Sequence, residues 1–228
     1  MTDLPGKAIH DFYFEKSKAK LFVHDSFGPK VEMPITMYFR KFSAMPLLEK
    51  KALQLCEGKI LDVGAGAGSH AVYLQNKGFE VDALEISPTA CKVMTDIGVS
   101  NVICDDYFKL SDKKCDTLLL LMNGIGLCGN VNGFRKFLLK ASELLVDGGK
   151  IIFDSCDISY MYENIEVPER YFGEVKCRYE YKKEFTEWFS WLYLDAQKMT
   201  EIALEMGWKA QIVFEDDNDQ YLAVLSKI

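Results

Sequence analysis

The stretch "ILDVGAGAGSH", residues Ile60 to His70, carries three glycines at positions 64, 66 and 68. Glycine loses more conformational freedom on folding than any other residue, so this density indicates a backbone that turns sharply or is closely approached. The apolar run Ile60–Val63 predicts a buried strand, and Ser69–Lys77 predicts a helix. The segment is therefore a strand, a glycine loop and a helix, and its ligand has to be found from the neighbouring residues.

Two phosphate-binding loops fit this glycine spacing poorly. A triphosphate loop ends in Gly-Lys-Ser or Gly-Lys-Thr, whereas Gly68 is followed by Ser69 and His70. A dinucleotide loop follows Gly-x-Gly-x-x-Gly, whereas these glycines alternate with single residues. The missing lysine excludes a triphosphate loop. A dinucleotide loop, and with it a nicotinamide-dependent oxidoreductase, stays open as an alternative that rests on the glycine loop alone.

Asp62 favours a ligand without phosphate. It stands two residues before the first glycine, where a carboxylate would repel a pyrophosphate and would suit a positively charged group. S-adenosylmethionine carries an ammonium and a sulfonium. Its carboxylate can accept hydrogen bonds from backbone N–H groups at the start of the following helix. The same loop could therefore bind both ends of this zwitterion.

Strands and helices alternate through the middle of the chain, which predicts a parallel sheet with helices on both faces and right-handed crossovers. The leucine-rich run at 117–122 is typical of the buried centre of such a sheet. Besides the elements around the glycine loop, the predicted strands are Glu80–Leu84, Asn101–Cys104, Thr117–Met122 and Lys150–Asp154, and the predicted helices are Pro88–Ile97 and Gly133–Leu145.

The flanking segments have a different pattern. Residues 1–57 are predicted to form a helical N-terminal cap, and the main domain is expected at 58–228, with its core at 59–157. Residues 158–194 alternate aromatic and charged side chains, which predicts an antiparallel β insert on the substrate side. Residues 195–228 are predicted as a closing helix and a terminal hairpin.

Composition restricts the partners. Lysine and arginine total 27 against 34 aspartates and glutamates, a net charge of −7, which argues against nucleic acid. The seven cysteines include no Cys-x-x-Cys pair, so we expect neither a disulfide framework nor a metal site. No signal peptide or membrane-spanning run is visible. We expect a cytoplasmic monomer or homodimer with no membrane partner.

Five segments, in this order, carry a resemblance to a known family: "LDVGAGAG", "VDALEISPTA", "ICDDYF", "CDTLLLLMNGIG" and "GGKIIFDS". Together they resemble the class I S-adenosylmethionine-dependent methyltransferases. The resemblance covers about residues 59–157 and, more loosely, the terminal hairpin. It implies an α/β, Rossmann-like, doubly wound and mostly parallel seven-stranded sheet that ends in an antiparallel hairpin. It also implies S-adenosylmethionine as cofactor and S-adenosylhomocysteine as product.

The resemblance assigns a role to each matching position in the first two segments. The loop around the methionine part of the cofactor corresponds to Asp62, Gly64, Ala65, Gly66 and Gly68. Glu85 corresponds to the acidic residue that binds both ribose hydroxyls, since an ionised carboxylate accepts two hydrogen bonds. Ile86 follows it and is expected to pack on the adenine.

The later segments are less decisive. An acidic residue of "CDDYF" is expected to meet the adenine amino group. We prefer Asp106, which leaves Tyr107 beside the adenine, and we keep Asp105 as the alternative. The cofactor's sulfonium and the substrate are expected to meet where the fourth strand ends, at Met122, Asn123 and Gly124.

Methyl transfer is an in-line displacement to which a protein mainly contributes alignment. A dedicated base is needed only for a nucleophile that arrives protonated, and no triad is visible. The candidate catalytic residues are Asn123 and Tyr38, the latter in a segment expected to cover the pocket. Some methyltransferases of DNA bases and protein glutamine carry Asn/Asp-Pro-Pro-Tyr/Phe here, but "MNGIG" matches only its first position. The predicted function is methyl transfer to a small molecule; the alternative is a non-catalytic protein that senses the cofactor.

Overall fold

The computed structural model describes residues 2–163 and 168–228. Residues 164–167 of the expected β insert lie outside this description. The α-helices of the described residues are α1 Leu4–Phe14, α2 Leu47–Leu55, α3 Ser69–Asn76, α4 Pro88–Ile97, α5 Val131–Leu144 and α6 Ala196–Glu205. None of these helices is both long and apolar enough to cross a bilayer.

The β-strands follow the predicted alternation through the core and continue on both sides of it. In chain order they are β1 Leu21–His24, β2 Val31–Met33, β3 Ile60–Val63, β4 Val81–Glu85, β5 Val102–Cys104, β6 Cys115–Leu120, β7 Leu145–Cys156, β8 Glu174–Tyr181, β9 Glu184–Phe185, β10 Phe189–Leu192, β11 Trp208–Glu215 and β12 Gln220–Lys227.

Seven strands form the main sheet in the order β11-β12-β7-β6-β3-β4-β5. β4 pairs with β5 in parallel, as β6 does with β7. β12 is antiparallel to both β7 and β11. The predicted Rossmann-like sheet with a C-terminal antiparallel hairpin is therefore confirmed. Leu118, Leu119 and Leu120 are fully buried, as expected for the central strand of a sheet covered on both faces.

A second sheet has the order β10-β8-β1-β2, with β9 paired to β8. Its β8 and β9 confirm the expected antiparallel insert. The N-terminal segment, however, is helical only in part: α1 and α2 are present, but β1 and β2 lie between them. β1 pairs with β8 so that Leu21 lies opposite Tyr181, both fully buried. This distant partner makes residues 21–24 a strand.

The described chain divides into two compact units. The first holds the residues up to Met45 together with Asp62–Lys109 and Lys176–Phe189. Its core includes Leu4 and Ala8 of α1, packed in one cluster with α4 residues. The second unit holds Pro46–Leu61, the described part of Leu110–Val175, and Ser190–Ile228; the fully buried rings of Phe134, Phe137 and Phe153 lie in its core.

Candidate functional site

The glycine loop is held over the end of β4 by backbone hydrogen bonds. The N–H groups of Gly64 and Ala65 both donate to the carbonyl oxygen of Leu84, at 2.9 and 3.0 Å. Gly68 donates to Ala65 at 2.8 Å and precedes the first residue of α3. The carboxyl ends of parallel strands are where open α/β sheets bind ligands. The loop thus lies where a ligand of such a sheet is expected.

Glu85 connects this loop to the start of α4. Its Oε2 accepts a hydrogen bond from Gly66 N–H at 2.9 Å, and its Oε1 accepts one from Ser87 N–H at 2.9 Å. Burial raises the pKa of this carboxyl, while the hydrogen bonds from Ser87 and Gly66 lower it. Each carboxylate oxygen can accept a further hydrogen bond. Glu85 can therefore shape the loop and still bind hydroxyl groups of a ligand.

Asp62 is only 2% exposed and provides a buried carboxylate beneath the loop. Burial raises its pKa, while the nearby His70 and a hydrogen bond from Ala71 N–H lower it. Its Oδ2 atom is buried and has no hydrogen-bond partner among the described residues. A buried polar atom without a partner is costly, so this oxygen fits a ligand that supplies a hydrogen-bond donor or a positive charge. His70 is buried in the first turn of α3.

Open space lies beside the glycine loop, and an exposed apolar side chain follows the end of β4. A Cβ atom added to Gly64 would meet no atom within 4 Å. Ile86, which follows β4, is 68% exposed. A large exposed apolar side chain at a strand end is what a planar apolar ligand group would cover. Asp62, the glycine loop, Glu85 and Ile86 together fit an amino acid joined to a nucleoside.

The segment after β5 begins next to Glu85, because Asp105 N–H donates to the Glu85 carbonyl at 3.2 Å. Asp105 Oδ1 accepts from Asp106 N–H at 2.7 Å, and Asp106 Oδ1 accepts from Phe108 N–H at 3.0 Å. Both carboxylates thus take part in the turn, and Asp105 is the more exposed of the two. Tyr107 is 4% exposed and Phe108 is 38% exposed, so the ring open to a ligand here is that of Phe108.

Met122, Asn123 and Gly124 belong to the second unit and follow β6, which ends at Leu120 rather than at the predicted Met122. Met122 and Asn123 have φ angles of 60° and 56°, uncommon for consecutive non-glycine residues. Asn123 N–H donates to Asp154 Oδ2 at 2.9 Å. Both polar atoms of the Asn123 side chain are buried and lack a described partner.

Asp154 is a residue that the sequence pattern did not single out. It lies near the end of β7, is 6% exposed, and fixes the turn through its bond to Asn123. The available signal was its position in "GGKIIFDS", where a polar residue follows the apolar part of a predicted strand.

The described residues include one cluster with donors close enough for a metal, His10, Asp11 and Glu15. Asp11 already bonds to Lys182 at 2.7 Å, and the cluster includes none of the residues described above. It therefore gives no reason to add a metal to the candidate site.

Comparison with known proteins agrees with this geometry. A family model described as "Methyltransferase domain" matches residues 61–153. The chain is 38% identical to an S-adenosylmethionine-dependent methyltransferase from Bacteroides fragilis, solved in complex with S-adenosyl-L-homocysteine. That match covers 99% of this chain and 94% of the other, with a TM-score of 0.92. The CcbJ methyltransferase from Streptomyces caelestis shares the fold at 13% identity, with a TM-score of 0.63 over 81% of this chain and 98% of that one.

Curated relatives match over much shorter segments. The chain is 41% identical to a 23S rRNA (uracil(747)-C(5))-methyltransferase of Pyrococcus horikoshii over 51 residues, which are 22% of this chain and 12% of that protein. It is 33% identical to the Pyrococcus abyssi protein of the same description over 79 residues, which are 33% and 19%. The matches therefore span less than a fifth of these relatives.

Proposed function

The chain belongs to the S-adenosylmethionine-dependent methyltransferases, and from that premise we propose that it methylates a small-molecule acceptor. The cofactor, S-adenosylmethionine, supplies an activated methyl group on a sulfonium. The observation that carries cofactor binding in this proposal is the joint geometry of the first unit. There a partly buried carboxylate at the end of β4 holds the glycine loop, and a second carboxylate beneath that loop has an unpartnered oxygen.

We propose the following roles for these residues. Asp62 binds the positively charged methionine part, and the backbone of Gly64, Ala65, Gly66 and Gly68 encloses it. Glu85 accepts hydrogen bonds from the ribose hydroxyls with the acceptor capacity that Gly66 and Ser87 leave unused. These contacts fix the cofactor's position, and alignment of this kind can contribute several kcal/mol, up to about 7–11, toward lowering a barrier.

The adenine contacts are assigned to the residues around the end of β5. Ile86 offers an exposed apolar side chain, and either Asp105 or Asp106 can accept a hydrogen bond from an amino group. Each carboxylate already accepts one backbone hydrogen bond, Asp105 from Asp106 N–H and Asp106 from Phe108 N–H, and Asp105 is the more exposed of the two. Because Tyr107 is buried, the exposed Phe108 ring is the aromatic contact candidate in this segment.

A small-molecule acceptor is supported by charge and by the second unit. The net charge of −7 disfavours the phosphate backbone of RNA or DNA. The unpartnered amide of Asn123 can both donate and accept, which suits orientation of a small polar acceptor. The rRNA methyltransferases match this chain over too short a segment to carry their substrate over.

The acceptor class is tested with S-adenosylmethionine labelled in its methyl group. Purified protein is incubated with pools of small metabolites and, separately, with total RNA and with unfolded protein; Glu85→Ala serves as the control for label transferred without the site. We expect label in a small molecule, with stoichiometric formation of S-adenosylhomocysteine. Label only in RNA or only in protein would refute the small-molecule proposal. Tight cofactor binding with no transfer to any pool would favour the sensing alternative.

A further inference from the structure

A tyrosine from the N-terminal segment lies directly against the glycine loop. Tyr38 belongs to a single turn of 3₁₀ helix, Ile35–Phe39. A Cβ atom added to Gly66 would lie 3.0 Å from Tyr38 Cδ1 and 3.4 Å from Tyr38 Cε1. The ring therefore rests on the α-carbon of Gly66, the residue whose N–H is bound by Glu85. A side chain at position 66 would have to displace this ring.

The hydroxyl of Tyr38 is available to a ligand. The ring is partly buried, and no described residue forms a hydrogen bond with its hydroxyl. Burial, together with the negative charge of Glu85, raises the pKa of Tyr38 to about 12. The phenol thus keeps its proton at neutral pH and can act as a hydrogen-bond donor. A donor without a protein partner beside the loop is a feature that a ligand acceptor would satisfy.

The segment that carries Tyr38 packs in one buried cluster with α1 and with the glycine loop. Ile35 packs in the same buried cluster as Ala67 of the glycine loop. At the start of α1, Asp3 Oδ2 accepts hydrogen bonds from the hydroxyls of Ser87, at 2.6 Å, and Thr89, at 2.7 Å. These two residues follow Glu85 closely in the chain. Tyr38 therefore packs against the glycine loop and α1, and α1 in turn is bonded to the residues that follow Glu85.

We propose that Tyr38 is a cofactor-binding residue, whose ring covers the cofactor at the glycine loop and whose hydroxyl donates to the carboxylate of its methionine part. This inference rests on the cofactor site of the proposed function and adds a contact from outside the shared methyltransferase domain. The carboxylate is the acceptor that matches a neutral phenol donor, because hydrogen bonds to a charged partner are the stronger ones. Glu85 is left for the ribose.

The test compares Tyr38→Phe with Tyr13→Phe by isothermal titration. Tyr13 of α1 is the matched control, since its hydroxyl bonds to Asp96 at the surface at 2.8 Å. Two ligands are used: S-adenosylhomocysteine, which has the carboxylate, and 5′-methylthioadenosine, which lacks the amino-acid part. We expect Tyr38→Phe to bind S-adenosylhomocysteine about 10-fold more weakly, the effect of a lost hydrogen bond to a charged group, and to bind methylthioadenosine like the wild type. Tyr13→Phe should bind both normally.

Two results would overturn the proposal. One is a dissociation constant of Tyr38→Phe for S-adenosylhomocysteine within about twofold of the wild-type value. The other is an equal loss for both ligands, which would assign the hydroxyl to the nucleoside or to loop packing. No acceptor is present in these titrations, so the outcome is independent of whether a small-molecule acceptor is found. Thermal unfolding of each variant identifies a loss of binding that comes from misfolding.

Discussion

The N–H of Gly66 donates a 2.9 Å hydrogen bond to Glu85 Oε2, across 19 residues of chain. The carboxylate proposed to bind the ribose therefore also fixes the conformation of the loop proposed to enclose the methionine part. Because one side chain serves both ends of the cofactor, loop geometry and cofactor affinity should change together.

Replacing Gly66 with alanine should destabilise the protein and weaken cofactor binding. Its φ is +59°, and the new Cβ would lie 3.0 Å from the Tyr38 ring. Gly64→Ala is the matched control, because φ is +74° there but its Cβ would meet nothing within 4 Å. Each should lose about 1–2 kcal/mol of unfolding free energy from backbone strain. Urea unfolding should show a larger loss for Gly66→Ala, and equal losses would contradict the contact with Tyr38.

Replacing Asp62 with asparagine should weaken cofactor binding strongly without weakening the unliganded fold at neutral pH. The change removes a buried charge and retains an oxygen that can accept from Ala71 N–H. Titration with S-adenosylhomocysteine should show an affinity loss of at least about 10-fold, as for a hydrogen bond to a charged group. Retained affinity would contradict the role of Asp62.

The difference in stability between the wild type and Asp62→Asn should depend on pH in a defined direction. Burial raises the native pKa of Asp62 above its ordinary value of 3.8. Between these two pKa values the native state binds more protons than the unfolded state. Wild-type stability should therefore fall, relative to Asp62→Asn, as pH rises from about that ordinary value through the raised native pKa, and the difference should then stay constant. Urea unfolding of the unliganded proteins across this range measures it. A difference that changes in the opposite direction would contradict the assignment.

Replacing Asn123 with glycine should separate stability from turnover. Asn123 has φ of 56°, which glycine adopts without strain, so the unfolding free energy should change by less than about 1 kcal/mol. If the amide orients the acceptor, kcat should fall while the dissociation constant for S-adenosylhomocysteine stays unchanged. Asp112→Gly, also at φ of 56°, is the control. Unchanged kcat in Asn123→Gly would remove Asn123 from the acceptor site.

Local signals in the sequence predicted most of the main sheet and its helices. Ser87 directly precedes α4 and caps it: its hydroxyl accepts from Ala90 N–H at 3.0 Å. Asp195 directly precedes α6 and caps it: its carboxylate accepts from Lys198 N–H at 2.8 Å. Because such a cap joins residues only three positions apart, it can be predicted from the sequence alone.

Features that depend on distant residues were not predictable in this way. β1 is a strand because Leu21–His24 pairs with residues of β8 far along the chain. The link between Asp154 and Asn123, and the contact of Tyr38 with Gly66, likewise join separate segments. The resemblance assigned a role to Glu85, but it gave no indication of which ring of "DDYF" is exposed. The division of the chain at residue 57 and the role of each site residue stay predictions.

The most direct test of the account is the affinity of Glu85→Ala for S-adenosylhomocysteine, measured by isothermal titration beside the wild type. Glu187→Ala, an exposed glutamate of the same unit, is the control. We expect micromolar binding by the wild type and the control. For Glu85→Ala we expect a dissociation constant at least about 30-fold higher, because the carboxylate that accepts hydrogen bonds from both ribose hydroxyls is lost. Wild-type affinity in a folded Glu85→Ala variant would contradict the central claim that this carboxylate binds the cofactor.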